Sequence, residues 1–383
     1  MIPYGRQDIT ESDLAAVAEV LKSPYLTQGP AVPAFEAAVA ARVGVPHAVA
    51  MNSATSALHV ACAALGLGPG DALWTQPNTF VASANCGLYC GASVDFVDID
   101  PQRFTMCPIR LAEKLEGAER AGNLPKIVVP VHMCGQSADM EAIGALARKY
   151  GFAIIEDASH AIGGRHKQHA IGAGPDTAVT VFSFHPVKII TSGEGGMAVT
   201  SDAALAERMA MLRSHGITRS PDLMTHEPDG PWYYQQVDLG WNYRMTDIHA
   251  ALGLSQLERL DGYIAKRHEQ AARYDAAFAG WPLSTPWRDP ADLSAFHLYV
   301  IRLNDASRRR AVFEALRGAD IGVNVHYIPV HLQPYYHAFG FKPGDFPESE
   351  RYYDEAISLP LFPLMTTGEQ DRVISELAKA LEL

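Results

Sequence analysis

Cysteine is scarce and unpaired in this chain. Its five cysteines, Cys62, Cys86, Cys90, Cys107 and Cys134, are odd in number and form no CxxC. That argues against a disulfide framework and points to a reducing, cytoplasmic setting. Cys86 and Cys90 would share a helix face and, with His132, invite a zinc reading. No standard ligand spacing supports it, and small buried cysteines are the commoner case. Basic charge is short as well: 31 Lys and Arg stand against 43 Asp and Glu, a net charge of -12. The chain therefore lacks the basic stripe of a general nucleic-acid binder, while a local pocket for one small anion remains compatible. No run of about 18 uncharged apolar residues occurs, so no membrane-spanning helix is expected. The opening MIPYGRQDITESDL shows no basic stretch followed by an apolar one, hence no secretory signal. Repeats and low-complexity tracts are missing too.

What is present is a globular composition. Hydrophobic residues make up 48% and charged residues 19% of 383 positions, enough to bury cores in two or three domains. The first 200 residues alternate short apolar runs with helical stretches. HAVAM (47–51), ALWTQ (72–76), SVDFVDI (93–99), IVVPV (127–131), FAIIED (152–157) and AVTVFSF (178–184) read as strands. Helices such as NSATSALHVACAALGLG and DMEAIGALARKYG lie between them. This alternation predicts an α/β domain with a mainly parallel, doubly wound sheet, whose ligands gather at the carboxyl ends of the strands. From Arg244 to Phe278 the spacing is helical throughout, with Gly253 and Gly262 as candidate kinks. WPLSTPWRDP (281–290) reads as a connector to a smaller α+β domain with a strand at AFHLYVIRL (295–303) and helices near 307–317 and 368–382. The expected division is a large domain over 1–250, including the segment 1–30, and a small one over 251–383, joined through the helix near 244–278.

Four features then converge. Lys188, in SFHPVKIITSGEGG, follows a predicted strand, and glycines 193, 195 and 196 would let backbone approach a ligand. A solvated surface charge is the ordinary fate of a lysine, but one at the sheet edge in a partly dry pocket can lose its proton and act as a nucleophile. Asp157 ends the preceding strand; it suits a helix cap or the ring nitrogen of a bound pyridine. NSATSAL (52–58) places small hydroxyl residues at a helix start, where free N–H groups bind phosphate or where Ser53 and Thr55 simply cap. Ser183 could add a hydroxyl to the same anion. Phe80 in PNTFVASAN and His160 in EDASHA are an aromatic and a polar residue suited to the two sides of a planar cofactor; a core position is the alternative for Phe80.

With YGRQDIT (4–10), YLTQGP (25–30), WNYRMTDIHAALGLSQL and YIPVHLQPYY (327–336), these motifs make the chain resemble, over essentially its whole length, the DegT/DnrJ/EryC1/StrS sugar aminotransferases. That resemblance implies the fold-type I architecture and pyridoxal 5'-phosphate as cofactor. It implies that Lys188 bonds covalently to the cofactor and serves as catalytic base, that Asp157 pairs with the pyridine nitrogen, and that His160 and Phe80 flank the ring. Ala54, Thr55 and Ser183 match phosphate-cup positions. Asn242 matches a residue reaching the phosphate from a neighbouring subunit, implying a homodimer with shared active sites. Tyr4, Thr27, Gln28, His326, Tyr327 and His331 are the implied substrate-binding residues. The implied reaction moves an amino group from L-glutamate to C4 of a nucleotide-linked 4-keto-6-deoxy sugar, with UDP-2-acetamido-2,6-dideoxy-β-L-arabino-hex-4-ulose, on the route to pseudaminic acid, as the expected substrate. Other UDP- or dTDP-linked keto-sugars, a sugar dehydratase (in which a histidine replaces the lysine) and a non-catalytic regulator on the same fold are the alternatives.

Overall fold

The computed structural model describes all 383 residues. Seven strands build the main sheet: β1 (His47–Met51), β2 (Ala72–Thr75), β3 (Ser93–Phe96), β4 (Ile127–Val129), β5 (Ala153–Asp157), β6 (Val179–Ser183) and β7 (Gly196–Thr200). Their order across the sheet is β1-β7-β6-β5-β4-β2-β3. All run parallel except β7, which is antiparallel to both neighbours and pairs Met51 with Gly196 and Ser183 with Gly196. The reversed strand brings Gly196 to the same edge as the carboxyl ends of β1 and β6.

The strands are apolar on both sides because helices cover both faces. On one face Val49, Ile155 and Val181 pack with α3 (Ala54–Ala64), α4 (Ala82–Tyr89) and α7 (Ala203–Leu212). On the other, Ala50 and Phe182 meet α2 (Ala31–Val43) and α8 (Asp247–Leu257). Farther along that face, Val128 and Ile154 meet α5 (Pro108–Ala121) and α6 (Met140–Tyr150). Local signals mark the ends: Asp139 accepts from the Ala142 N–H to start α6, and Gly151, at φ 80, ends it.

The helix expected over 244–278 is two helices, α8 and α9 (Leu260–Ala277), and the break is at neither candidate glycine. Gly253 stays helical, and its missing side chain makes room for the Phe35 ring, which a Cβ there would approach to 2.6 Å. The chain instead leaves helical geometry at Arg259 (φ -100, ψ 2). The Arg259 guanidinium reaches Asp13 of α1 (Glu11–Lys22) at 2.6 Å and the Tyr263 hydroxyl at 2.8 Å. Burial alone would raise the Asp13 carboxyl, but the hydrogen bonds from Arg259 and Ser255 outweigh it and hold it down to about 2.

A second core lies beyond. β8 (Leu283–Ser284), β9 (Tyr299–Leu303) and β10 (Ala356–Leu359) form an antiparallel sheet packed with α10 (Arg309–Gly318) and a C-terminal helix over Thr367–Leu381. Helix α9 serves both cores, with Leu260 and Ile264 in the first and Ala271, Tyr274 and Phe278 in the second. The chain start belongs with the second core: Gly322 N–H donates to the Ile2 carbonyl and Leu361 N–H to that of Tyr4. That seating delivers Tyr4 to the boundary between the two cores. Buried Arg267 locks the junction by donating to the carbonyls of Phe296, His297 and Leu361.

Candidate active site

A cleft of about 920 Å³ opens at the carboxyl edge of the parallel strands, between the two cores. Ten of the fourteen expected site residues line it: Tyr4, Ala54, Thr55, Phe80, Asp157, His160, Ser183, Lys188, His326 and Tyr327.

One end of the cleft is an anion cup. Ser53 caps α3 by accepting from the Ser56 N–H, and Ala57 N–H makes the first intrahelical bond to the Ser53 carbonyl. The amides of Ala54 and Thr55 precede that bond and face outward at the positive end of the helix dipole. Ser183 ends β6 alongside. Gly195 and Gly196 act differently from the expectation: they close protein against protein, while Gly193 takes a positive φ of 82. A Cβ on Gly196 would sit 2.4 Å from the backbone of Ser53 and Ala54, and one on Gly195 would sit 2.3 Å from Ser192 Oγ. Glycine at 196 is therefore what lets β7 press against the head of α3.

The middle of the cleft holds the ionisable groups. Asp157 is buried at the end of β5, where its carboxylate accepts from Ser83 Oγ at 2.6 Å and from the Ser159 N–H at 3.1 Å. Lys188 sits in the turn after β6, its N–H donating to the His185 carbonyl. Partial burial at the cleft wall pushes its ammonium down from 10.5 to about 8, against the opposing pull of Asp157. Three imidazoles surround it. His160 and His297, with ring centroids 4.4 Å apart, are both driven well below the usual histidine range by burial, and nearby Lys188 pushes in the same direction. His326 falls to about 4 for the same two reasons. The three rings are therefore neutral near pH 7, each with a single ring N–H. His160 Nδ1 accepts from the Cys134 N–H, so its Nε2–H donates to the Tyr327 hydroxyl 3.1 Å away. The Tyr327 proton is left free to point into the cleft. Phe80 stands at the mouth, 57% exposed, with its ring 6.1 Å from that of Tyr327; it is not a core residue.

A pH dependence follows from Lys188. An amine bonds covalently to an aldehyde only through its free base, and the free-base fraction here grows with pH and levels off above about 8. Capture of pyridoxal phosphate by the cofactor-free protein, followed by stopped-flow absorbance, is expected to accelerate up to about pH 8 and then flatten. An exposed lysine would still be accelerating at pH 9.5.

Four expected residues are elsewhere. His331 is fully buried; its Nε2 lies 2.9 Å from the Glu350 carboxylate and its ring packs edge-on against Phe346. It anchors the 324–336 segment and does not line the cleft. Thr27 and Gln28 are exposed on the loop before α2, where Thr27 pairs with Thr246, and Asn242 is exposed beside Ser214. None of these three touches the cleft of its own chain. Ser83 and His297, by contrast, are site residues that the sequence reading missed. Ser83 follows Phe80 by three positions, one helical turn, and that spacing was the available signal. His297 is hidden in the apolar run AFHLYVIRL. The zinc reading of His132 is overtaken: Nε2 lies 2.6 Å from Glu156, and Nδ1 accepts from the Ala138 N–H.

The arrangement of cup, buried carboxylate and weakly basic lysine is carried by a whole chain with close relatives. The model of the DegT/DnrJ/EryC1/StrS aminotransferase family matches residues 7–378. The chain belongs to that family. It is 41% identical to the spore coat polysaccharide biosynthesis protein SpsC of Bacillus subtilis (strain 168), over 97% of this chain and 95% of that one. Among solved structures it is similar to Helicobacter pylori PseC, an aminotransferase involved in the biosynthesis of pseudoaminic acid. The TM-score is 0.91 at 30% identity, covering 100% of this chain and 99% of that one. The putative sugar aminotransferase Spr1654 of Streptococcus pneumoniae, solved in its PMP form, also superposes with a TM-score of 0.91, at 28% identity and covering 100% and 99% of the two chains.

Proposed function

We propose that this protein transfers the amino group of L-glutamate to C4 of a nucleotide-linked 4-keto-6-deoxy sugar, with pyridoxal 5'-phosphate as cofactor. The observation that carries this reading is Lys188: a half-buried amine with basicity lowered to about 8, at a sheet edge that also presents a buried aspartate and a helix-end anion cup. The residues fit the cofactor. The amides of Ala54 and Thr55, with the hydroxyls of Thr55 and Ser183, would hold its phosphate. Asp157, already fixed by Ser83 and Ser159, would keep a proton on the ring nitrogen. Phe80 would cover the ring, and neutral His160 would lie beside it. When bound, the cofactor supplies an electron sink that lowers the cost of removing a proton from carbon.

Lys188 then has two tasks. Its Nζ would hold the cofactor, and the same nitrogen as free amine would take the proton from the glutamate α-carbon. In the second half the same nitrogen delivers a proton to C4 of the sugar, so that glutamate and ketone leave as 2-oxoglutarate and amine. Tyr327, with its free O–H, His326 and Tyr4 would orient the sugar. Because Thr27, Gln28 and Asn242 are exposed and away from their own cleft, they would serve the cleft of a second copy, and the working unit is proposed to be a homodimer.

The preferred substrate is UDP-2-acetamido-2,6-dideoxy-β-L-arabino-hex-4-ulose, on a route to pseudaminic acid; similarity to PseC supports it. The higher identity to SpsC favours a second reading, a different UDP- or dTDP-linked keto-sugar destined for a polysaccharide. Offering a set of UDP- and dTDP-linked 4-keto-6-deoxy sugars with L-glutamate, and following 2-oxoglutarate, separates them. The UDP-linked ulose is expected to turn over fastest. A faster dTDP-linked or other UDP-linked sugar selects the second reading, and no release with any sugar rejects both.

A further inference from the structure

Thr27, Gln28 and Asn242 are exposed and outside the cleft of their own chain, yet the backbone that carries them is tightly held. Asn242 pairs with Ser214, Arg244 with Met51 and Thr246 with Thr27, so the segment 242–246 ties the loop before α2 to β1. The tie ends on Asp247, the first residue of α8 and only 1% exposed. Its backbone N–H donates to the Leu26 carbonyl. Its carboxylate takes the other side of the loop. Oδ2 accepts from the Gly29 N–H at 2.8 Å, and Oδ1 accepts from the N–H groups of Ala31 at 2.8 Å and Val32 at 3.4 Å. One residue thus grips both ends of Leu26–Gly29. Between the grips Gln28 takes a φ of 56, a left-handed turn that a glutamine keeps where its surroundings hold it. Gly29 makes the close approach possible, since a Cβ there would lie 2.5 Å from Tyr25 Cβ and 3.0 Å from Asp247 Oδ1. Helix α2 has no side-chain cap of its own, with Pro30 at its N-cap, so the same carboxylate also closes that helix end.

Resting on the aminotransferase reading and the homodimer proposed with it, we infer that Asp247 is a positioning residue for the sugar half of the reaction. It holds Thr27 and Gln28 in the shape that the cleft of a second copy receives. An exposed polar loop left free samples many shapes, and ordering it on binding weakens affinity. A buried carboxylate that accepts three N–H bonds, at the start of two helices, is a fixed point that orders the loop beforehand. Asp247 does not line the cleft, so it acts through the loop.

The test separates helix capping from positioning. In Asp247→Asn the amide oxygen can keep the bonds from Ala31 and Val32, while its NH₂ faces the Gly29 N–H and cannot accept from it. The cap survives and the grip on the loop is lost. The melting temperature is expected to stay near that of wild type. With the fastest sugar of the panel above, KM is expected to rise on the order of tenfold while kcat stays within about twofold. The glutamate half-reaction, read from the cofactor absorbance, is expected to be unchanged. Asp247→Ala, which drops all three bonds, is expected to raise KM further. KM unchanged in both variants, or a loss that falls equally on the glutamate half, overturns the positioning role. A second arm joins one Lys188→Ala chain and one Asp247→Asn chain in a tagged hybrid. At sugar concentrations well below KM it is expected to show roughly half the wild-type rate per dimer, because its one intact lysine is served by the intact loop of the other chain. A hybrid no faster than Asp247→Asn by itself confines the loop to its own chain and overturns the inference. A wild-type holoenzyme that fails the glutamate half-reaction, or passes it and turns over no sugar of the panel, overturns the aminotransferase reading beneath.

Discussion

Lys188→Ala is expected to fold normally and to lose at least about 10⁴-fold in transamination, measured as 2-oxoglutarate release, because in the proposed mechanism one side chain supplies both the covalent anchor and the proton carrier. The fold should tolerate the change. The one hydrogen bond Lys188 makes runs from its backbone N–H to the His185 carbonyl, which alanine keeps. The melting temperature is therefore expected to stay within a few degrees of wild type. Lys188→Arg sharpens the point: it restores a cation of similar reach, but a guanidinium cannot give up its proton in this pH range. If positive charge alone mattered, arginine would rescue activity. The account expects it to be as inactive as alanine.

Asp157→Asn is expected to reduce kcat by about 10²- to 10³-fold, roughly 3–4 kcal/mol of transition-state stabilisation. The amide oxygen can still accept from the Ser159 N–H, and the NH₂ that replaces Oδ2 can donate to Ser83 Oγ, so the shape of the site survives while the negative charge disappears. Without that charge nothing holds a proton on the ring nitrogen, and the carbanion character that develops at the reacting carbon is less well stabilised. The loss should fall on kcat in both half-reactions, with a smaller change in cofactor affinity. Ser83→Ala, which removes one of the two bonds that orient the carboxylate, is expected to act in the same direction but more weakly. A drop confined to cofactor affinity would assign Asp157 to binding alone.

Much of this was readable in the chain, for physical reasons that can be named. The strand HAVAM matches β1 residue for residue because an apolar run ends sharply at Asn52 and Ser53, both poor strand residues and good caps. That Asp157, Ser183 and Lys188 line one cleft was legible because strand ends in a doubly wound sheet share one edge. What escaped depends on distant partners. β7 was missed because it begins on a glycine whose purpose, contact with Ser53 and Ala54, lies far back in sequence. The helix break at Arg259 is set by Asp13, and the burial of His331 by Glu350. Thr27, Gln28 and Asn242 show the same limit from the other side: motif matching places them in a site, yet one chain leaves them exposed. The segment 1–5 was grouped with the large domain by proximity in sequence, whereas its backbone bonds run to Asp320, Gly322 and Leu361.

The decisive measurement is borohydride reduction of the holoenzyme followed by peptide mass mapping. Reduction fixes the cofactor irreversibly to whichever amine holds it. The phosphopyridoxyl mass is expected on the peptide carrying Lys188 and nowhere else; its appearance on another lysine, or on none, would contradict the chemistry assigned to this cleft.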